Sequence, residues 1–239
     1  MEKLKQIYEG KAKKVYSTKD ENLVIVSYKD QATALNGKKV GTIKGKGKIN
    51  NKLTNHFMKI LEKNNIPTQF VEEISNVETI VKKVEIIPLE VIVRNIASGS
   101  FSRRYGVLEG KTLKTPSLEF SLKNDSLNDP LINSFHIISL EIATKDEIKT
   151  VVDYSFKINE ILKKHLLQFN IKLVDFKLEF GKTSEGKIIL ADEISPDTCR
   201  FWDTTTNEKL DKDRFRQDME KISYGYEEIY SRILNLKLN

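Results

Sequence analysis

The sequence predicts an α+β fold of two lobes, made mostly of antiparallel sheets with helices packed against them. Short segments of alternating hydrophobic residues recur along the chain, which is typical of half-buried strands. Helical spacing is limited to a few longer stretches. Pro88 ends one strand pattern, so we place an N-terminal lobe at residues 1–87 and a C-terminal lobe at residues 88–239.

The composition is that of an ordinary globular protein. Hydrophobic residues make up 39% and charged residues 31% of the chain, which argues against disorder. No apolar run approaches the roughly 20 residues of a membrane span, and the residues after Met1 lack the apolar core of a signal peptide. Cys199 is the only cysteine, which excludes an internal disulfide and a multi-cysteine zinc site. We therefore expect a cytoplasmic protein.

Positive charge is concentrated at the start of the chain. Residues 1–60 hold 14 lysines against five acidic residues, although the net charge of the whole chain is only +6. This asymmetry indicates that the N-terminal part meets a polyanion, either a nucleic acid or a nucleotide triphosphate. A solvated lysine-rich face is the alternative.

The N-terminal lobe is predicted to be a small antiparallel sheet with one helix. Leu53, Phe57 and Leu61 show the helical spacing. The Gly- and Lys-rich segment 29–51 is expected to form a loop, either a mobile lid or a solvated flexible segment. The predicted strands are Ile7–Tyr8 and Ala12–Tyr16 as a hairpin, Leu23–Tyr28, Thr68–Glu72 and Thr79–Ile87.

The C-terminal lobe is predicted to mix strands and helices. Thr144 and Glu147 form a capping-box pattern, which predicts a helix beginning there. The other predicted elements are a strand at Leu89–Arg94, a short helix within Ala97–Tyr105, strands at Lys172–Phe180 and Ile188–Ile194, and a single last helix from Phe215 to Ile233.

The segment 173–180 carries the strongest local signal for a functional site. Alternation places Val174, Phe176, Leu178 and Phe180 on one face of a strand, and Asp175, Lys177 and Glu179 on the other. Covering three charged residues with apolar core is costly. The charged face is therefore expected to line a site or to face solvent.

The hairpin that follows this strand predicts a metal site. If Glu185 and Gly186 form a two-residue turn, Glu179 lies directly opposite Asp192, with Cβ atoms about 5 Å apart. A divalent cation removes the repulsion between the carboxylates, and Mg²⁺ typically takes one or two carboxylates together with substrate phosphates. An exposed charged hairpin, or a shifted register that separates the acids, is the alternative.

Three further segments are typical of anion binding. Gly10–Lys13 stands at a predicted hairpin tip, where backbone N–H groups and lysine charge suit a phosphate. Arg94–Arg104 places a Ser-Gly turn between a strand and a helix start. Pro196 is expected to end a strand, which leaves Asp197 and Arg200 on a turn near the predicted metal. A capped helix and surface ion pairs are the alternatives, and the chain has no Walker A or G-x-G-x-x-G motif.

Seven blocks of residues, in one order, carry a resemblance to a known family. They are Tyr8–Tyr16, Gly45–Asn51, Val93–Gly106, Leu122–Asp125, Leu173–Gly181, Leu190–Asp203 and Leu210–Asp218. In these blocks, which extend over nearly the whole chain, the sequence resembles the SAICAR synthetase family in its short bacterial form. Asn36 and Cys199 depart from the residues that are usual in the family.

The resemblance implies lobes related to the ATP-grasp and kinase-like folds, with ATP and Mg²⁺ as cofactors. The implied ATP-binding residues are Gly10, Lys11, Ala12, Lys13, Val15, Val81, Lys82 and Ile86. The implied catalytic residues are Lys177, Glu179, Asp192 and Arg200, with Glu179 and Asp192 as metal ligands. The implied substrate-binding residues are Arg94, Ser100, Lys123, Asp129, Asp175, Asp197 and Arg216. Aspartate is expected near Ser98–Arg104 and the Gly37–Lys48 loop.

The implied reaction joins L-aspartate to 5-aminoimidazole-4-carboxylate ribotide in de novo purine synthesis, while ATP becomes ADP and phosphate. The resemblance also implies small-molecule partners, no nucleic acid or membrane partner, and a homodimer. A small-metabolite kinase stays open and would release ADP without aspartate. A basic RNA-binding module also stays open, although residues 29–55 lack the aromatic side chains that stack on bases.

Overall fold

The structure, a computed structural model, describes residues 1–34, 37 and 39–235. Asn36 lies outside the described residues. The elements before residue 88 are β1 (Gln6–Glu9), β2 (Lys13–Ser17), β3 (Leu23–Tyr28), β4 (Gln31–Ala34), β5 (Lys39–Thr42), α1 (Lys46–Lys63), β6 (Phe70–Glu73), β7 (Glu78–Lys82) and β8 (Glu85–Ile86). The predicted N-terminal hairpin, the strand at 23–28 and the helix around Leu53 are confirmed.

The remaining elements continue the same mixture of strands and helices. They are β9 (Leu89–Ile96), α2 (Gly99–Tyr105), β10 (Thr112–Leu122), a 3-10 helix (Asp125–Leu127), β11 (Leu131–Ile132), α3 (Ser134–Ser139), α4 (Lys145–Leu167), β12 (Ile171–Lys182), β13 (Ile188–Ala191), β14 (Cys199–Asp203), α5 (Asp213–Arg216) and α6 (Ile222–Leu234). The predicted capping box opens α4, because the side chains of Thr144 and Glu147 each accept a hydrogen bond from the other's backbone N–H.

The strands form two larger sheets and one hairpin. The first sheet has five strands in the order β1-β2-β3-β7-β6, and β4 pairs with β5. The second has the order β11-β10-β9-β12-β13, with β8 and β14 also paired to β12. The paired strands are antiparallel, which agrees with the predicted fold class. The division into lobes at residue 88 stays a prediction.

The main hydrophobic core joins α1 to the second sheet and to the last helix. Leu53, Phe57 and Leu61 of α1 are fully buried and lie in one cluster with Phe176 of β12 and Ile229 of α6. Burying one such side chain contributes about 1.5–3 kcal/mol. α1 therefore packs tightly against the second sheet and the last helix. Within the described ranges, no helix is both long enough and apolar enough to cross a bilayer.

The segment 29–51, predicted as a loop, contains regular structure. β4 and β5 form a hairpin within it, and α1 already begins at Lys46. The carboxylate of Asp30 accepts hydrogen bonds from the backbone N–H groups of Gly45 (3.0 Å) and Gly47 (2.8 Å) at the start of α1. A cap supplied from this far upstream leaves no local pattern in the sequence, which explains the wrong prediction.

The single helix predicted at the end of the chain is also wrong. α5 and α6 are separated by residues 217–221, where Asp218 and Lys221 both have a φ of 53°. Residues in the left-handed region interrupt a right-handed helix. The helical spacing of apolar residues therefore continues through this segment, although the helix itself is broken. β10, which was not predicted, contains Pro116 at an interruption of its pairing with β9.

The predicted alternation along β12 fails at one residue. The other three apolar residues of the predicted face lie in the main core. Val174 instead packs with Ile96 and Trp202. A β-bulge between Leu173 and Asp175, opposite β14, shifts the alternation at this point.

A pair of histidines lies between α1 and α4. The Nε2 atoms of His56 and His165 are 2.9 Å apart, and both rings are half-buried. Burial, together with the charges of His165 and Lys59, lowers the pKa of His56 to about 4, from an ordinary value of 6.5. The unfolded chain therefore binds a proton at His56 between pH 6.5 and 4, whereas the folded protein does not. Stability is lost as the pH falls through this window.

The His56→Gln variant is expected to lose less stability than the wild type between pH 6.5 and 4. The difference should be about 1 kcal/mol once solvent screening at this half-buried site is included. Urea unfolding at each pH measures it, and His136→Gln, at an exposed histidine, is the control. Equal pH slopes for His56→Gln and the wild type would contradict the assigned pKa.

Candidate active site

A cleft of about 930 Å³ is lined by residues of both larger sheets and of the segments between them. This volume is at the upper end of the range for small-molecule sites, so the cleft has room for more than one substrate. It brings together most of the predicted site residues. They are Gly10, Lys11, Ala12, Lys13, Arg94, Ser100, Lys123, Asp129, Asp175, Lys177, Glu179, Asp192, Asp197, Arg200 and Arg216.

The two predicted metal carboxylates meet in the cleft, but not through the predicted turn. β12 and β13 are joined by residues 183–187 rather than by a two-residue turn, and Glu179 pairs with Ala191. The predicted register, with Glu179 opposite Asp192, is therefore wrong by one residue. Asp192 follows the end of β13 with a φ of 57°, which turns the chain out of the strand.

Lys177 joins the two carboxylates. Its Nζ donates to Glu179 Oε1 at 2.6 Å and to Asp192 Oδ2 at 2.8 Å. Burial alone would lower the pKa of Lys177, but Asp192 and Glu179 raise it well above its ordinary value. The pKa of Asp192 is held well below its usual range, despite burial, by Lys13 and Lys177. Lys177 and Asp192 are thus both ionised at neutral pH.

Two more lysines complete this cluster. Lys123 contacts Glu179, while Lys13 contacts Asp192 and lies 3.2 Å from Glu193 Oε1. Each of the two predicted metal carboxylates therefore has two ammonium partners. Lysines that neutralise these acids can turn to phosphate oxygens when a cation takes over the carboxylates.

The donor set fits Mg²⁺ that arrives with a phosphate ligand. Glu179 and Asp192 converge on one point, where Lys177 Nζ provides a positive charge. In the described part of the chain, no three or more His, Cys, Asp or Glu side chains are grouped to hold a metal. Two carboxylates leave most of the octahedral positions of Mg²⁺ to water and phosphate oxygens.

Two arginines converge on Asp175 on the floor of the cleft. Asp175 of β12 is the cross-strand neighbour of Arg94 on β9 and of Arg200 on β14. Arg94 Nη1 donates to Asp175 at 2.6 Å and Arg200 Nη1 at 3.0 Å, while Arg94 Nη2 donates to Ser100 Oγ at 3.2 Å. Arg200 thus lies in a strand and not on the predicted turn. Guanidinium groups fixed in this way suit a phosphate or a carboxylate.

Asp197 connects the cleft to α1 and α6. Its carboxylate accepts hydrogen bonds from Lys46 Nζ at 2.8 Å and from the Tyr226 hydroxyl at 2.6 Å. Lys212 Nζ lies 3.5 Å away, and Arg216 Nη2 is 3.3 Å from the backbone oxygen of Asp197. Burial alone would raise the pKa of Asp197, but Lys212 and Lys46 lower it well below its usual range.

The tip of the β1–β2 hairpin lies at the edge of the cleft. Lys11 Nζ is 2.6 Å from Asp125 Oδ1, so an exposed ion pair links this tip to the 3-10 helix. Asp129 accepts a hydrogen bond from the backbone N–H of Asn124 at 2.9 Å and so shapes the same loop. Backbone N–H groups of the tip and the nearby lysines offer a site for phosphate groups.

Four predicted ATP-binding residues lie outside the cleft lining. Val15 and Val81 pack in a small cluster of the five-stranded sheet. Lys82 Nζ donates to the backbone oxygen of Thr68 at 3.0 Å, and Ile86 belongs to β8. Their placement around the adenine stays a prediction.

Several charged residues in the cleft lining or directly behind it were not predicted. Lys46 and Lys212 stand in two of the blocks that carry the family resemblance, so a signal for them was present in the sequence. Glu90 lies 3.7 Å from Lys177 Nζ, and its pKa is raised by burial. The sequence pattern of β9 does not distinguish Glu90 from a solvent-facing residue. Its place in the site becomes visible only from its contact with Lys177 on the neighbouring strand β12.

The cleft therefore offers three kinds of binding. Paired carboxylates can hold a divalent cation, lysines and a hairpin tip can hold phosphates, and two arginines can hold a second anion. This combination is suited to the transfer of a phosphoryl group between two anionic molecules.

Comparison with known proteins agrees with this chemistry. A sequence model of the SAICAR synthetase family matches residues 6–233. Phosphoribosylaminoimidazole-succinocarboxamide synthase of Thermoanaerobacter sp. (strain X514) is 60% identical to the chain over 233 residues, which cover 98% of this chain and 99% of that protein.

Solved structures show the same similarity in three dimensions. The phosphoribosylaminoimidazole-succinocarboxamide synthase of Ehrlichia chaffeensis is 43% identical with a TM-score of 0.95, over 98% of this chain and 100% of that one. A SAICAR synthetase in complex with ADP is 48% identical with a TM-score of 0.94, over 97% of this chain and 99% of that one.

Proposed function

Because the chain belongs to the SAICAR synthetase family, it is an ATP-dependent ligase of purine biosynthesis, and we propose that the cleft described above is its active site. The enzyme joins L-aspartate to 5-aminoimidazole-4-carboxylate ribotide and gives the succinocarboxamide ribotide, ADP and phosphate. The observation that carries the proposed site is the convergence of Glu179 and Asp192 on Lys177, beside the lysine-bearing hairpin tip.

In this proposal, ATP binds with its phosphates at Gly10–Lys13. Glu179 and Asp192 would hold Mg²⁺, which would supply positive charge to the phosphoryl oxygens. Lys13, Lys123 and Lys177 would be free to contact phosphate oxygens once they are no longer needed to neutralise the carboxylates. Support comes from the ion pairs of these lysines, since each already reaches one of the two acids.

The imidazole ribotide is proposed to bind over the arginines of the second sheet. Arg94, Arg200 and Arg216 provide positive charge, and Ser100 provides a hydroxyl group. Lys123, Asp129, Asp175 and Asp197 complete the proposed substrate contacts, all from within the cleft lining. For L-aspartate we propose the neighbourhood of Ser98–Arg104, where guanidinium groups suit its carboxylates.

The chemistry follows from the poor reactivity of a carboxylate. An oxygen of the imidazole carboxylate attacks the γ-phosphorus of ATP, and the bond to the bridging oxygen of ADP breaks. The amine of aspartate then attacks the activated carbonyl carbon, phosphate leaves, and a proton is lost from nitrogen. The protein residues mainly position the reactants and stabilise charge.

A coupled assay tests this function. We expect ADP release with Mg²⁺, ATP and the carboxylate ribotide only when L-aspartate is present, together with formation of the succinocarboxamide product. Release that is independent of aspartate would instead point to a kinase or an ATPase. If no ADP is released at all but RNA binds at physiological salt, the basic RNA-binding module would be the better assignment.

We also propose a cytoplasmic homodimer with an N-terminal lobe at 1–87 and a C-terminal lobe at 88–239. The family likeness supports the dimer, and several exposed apolar side chains offer a contact surface. They are Leu127, Leu131, Phe135 and Leu140. A monomeric mass in sedimentation equilibrium would exclude the dimer.

A further inference from the structure

Asp213 lies behind two arginines of the cleft. It is the first residue of α5, its side chain is 1% exposed, and it does not line the cleft itself. Its Oδ2 accepts a hydrogen bond from Arg200 Nε at 2.7 Å, and its Oδ1 accepts one from Arg216 Nη1 at 2.6 Å. One buried carboxylate therefore holds two guanidinium groups that both line the cleft.

Asp213 is itself held firmly. Its backbone N–H donates to Asp211 Oδ1 at 2.7 Å, and Asp211 Oδ2 accepts a hydrogen bond from the N–H of Phe201 at 2.9 Å. Phe201 follows Arg200 in β14, so this contact ties α5 to the strand that carries Arg200. Burial alone would raise the pKa of Asp213, but Arg200 and Arg216 lower it to about 2, which keeps the carboxylate ionised at neutral pH.

Asp213 is also the last acid in a chain of alternating charges along the floor of the cleft. The chain runs from Glu119 through Arg94, Asp175, Arg200 and Asp213 to Arg216. Arg104 Nη2 also donates to Glu119, so each of the three acids lies between two arginines and holds both in place. Removing one acid frees the neighbouring arginines to adopt other rotamers.

We infer that Asp213 is a positioning residue, which fixes Arg200 and Arg216 to receive an oxyanion group of the imidazole ribotide. This inference rests on the proposed function of the cleft. Fixing an arginine side chain in one rotamer costs about 2 kcal/mol of conformational entropy. When the folded protein already fixes the side chain, this cost does not reduce the free energy of substrate binding. Binding of the substrate then needs no reordering of either side chain.

The direction of the effect separates positioning from simple electrostatics. If Asp213 acted only through its negative charge, its neutralisation would strengthen the binding of an anion and lower KM. If it positions the arginines, its neutralisation weakens the binding and raises KM. If it merely supports the fold, the melting temperature and kcat fall while KM for the ribotide is unchanged.

In the Asp213→Asn enzyme, KM for the carboxylate ribotide is expected to rise about 10- to 100-fold. KM for ATP should stay within about twofold, since Asp213 contacts neither the lysine cluster nor the hairpin tip. Initial rates with each substrate varied in turn measure these values. Asp213→Glu keeps the charge but moves it, so it should raise the same KM.

Asp203→Asn is the matched control. Asp203 Oδ2 accepts a hydrogen bond from Arg232 Nη1 at 2.7 Å, and Oδ1 accepts two from backbone N–H groups at 2.8 Å. The variant thus loses an arginine contact of the same kind, but the arginine concerned, Arg232, does not line the cleft. Its melting temperature should fall while all three KM values stay unchanged.

A double-mutant cycle completes the test. Since Asp213 acts through both Arg200 and Arg216, the effect of Asp213→Asn on KM should be clearly smaller when Arg216 is already glutamine. Additive effects, or an unchanged or lowered KM in both Asp213 variants of an active ligase, would overturn the inference alone. A wild-type enzyme without aspartate-dependent ADP release would overturn the proposed function, and the inference with it.

Discussion

The Asp192→Asn enzyme is expected to lose about 10³-fold or more in kcat, with little change in KM for the ribotide. Asp192 provides one of the two carboxylates proposed to hold Mg²⁺, and a metal ligand stabilises the charge of the transition state by several kcal/mol. The amide keeps the size of the side chain but removes the charge that Lys13 and Lys177 now share.

Asparagine is the informative replacement because of the backbone at this position. Asp192 has a φ of 57°, in the left-handed region that asparagine tolerates better than most residues. An alanine there would add backbone strain to the loss of a ligand, and the two effects could not be separated. Glu179→Gln, in a regular strand, should give a loss of similar size.

Two measurements check this prediction. The first is kcat in the coupled assay, with Asp153→Asn as a control at an exposed carboxylate of α4 that pairs with Lys149. The second is the affinity for ADP with and without Mg²⁺, which should depend on the metal in the wild type and no longer in Asp192→Asn. Near-normal turnover, or a preserved metal effect on ADP affinity, would remove Asp192 from the metal site.

The same two acids show what the sequence could and could not predict. Alternation along β12 correctly separated Asp175, Lys177 and Glu179 from most of the apolar face, because a strand in a sheet imposes a period of two. The register could not be predicted, since it depends on a five-residue loop and on the left-handed backbone of Asp192. The two acids are nevertheless close together in the structure, because both accept a hydrogen bond from Lys177.

Contacts between distant segments could not be predicted from the sequence for a different reason. The cap that Asp30 provides to α1 and the helix break at Lys221 depend on packing, and neither leaves a periodic signal. β14 was interpreted as a turn because Pro196 was expected to end the preceding strand. That strand already ends at Ala191, and the chain pairs again at Cys199, three residues after Pro196. Family resemblance, by contrast, located most cleft residues without any knowledge of these contacts.

Lys46 shows how such a hidden contact can dominate stability. Its side chain is 0% exposed, although it opens α1 in a segment predicted to be a loop, either a mobile lid or a solvated segment. Its Nζ donates to Asp197 Oδ2 at 2.8 Å. Because both partners are buried, removing the ammonium group leaves a carboxylate in a poorly solvated place, with Tyr226 and the more distant Lys212 as its remaining partners.

The Lys46→Met variant is therefore expected to be about 3–5 kcal/mol less stable than the wild type. For a chain of this size, that corresponds to a fall of about 6–20 °C in melting temperature. Calorimetry and urea unfolding measure the change. Lys63→Met, at the exposed end of the same helix, should change stability by no more than about 0.5 kcal/mol.

The double variant Lys46→Met/Asp197→Asn gives the sharper result. If the cost arises from an uncompensated buried charge, neutralising Asp197 should restore part of the lost stability, so that the double variant is more stable than Lys46→Met alone. If the cost arose only from lost packing at the start of α1, the second substitution would add a further loss. A Lys46→Met protein within about 1 kcal/mol of the wild type would show that Lys212 and Tyr226 suffice to hold Asp197 in the cleft.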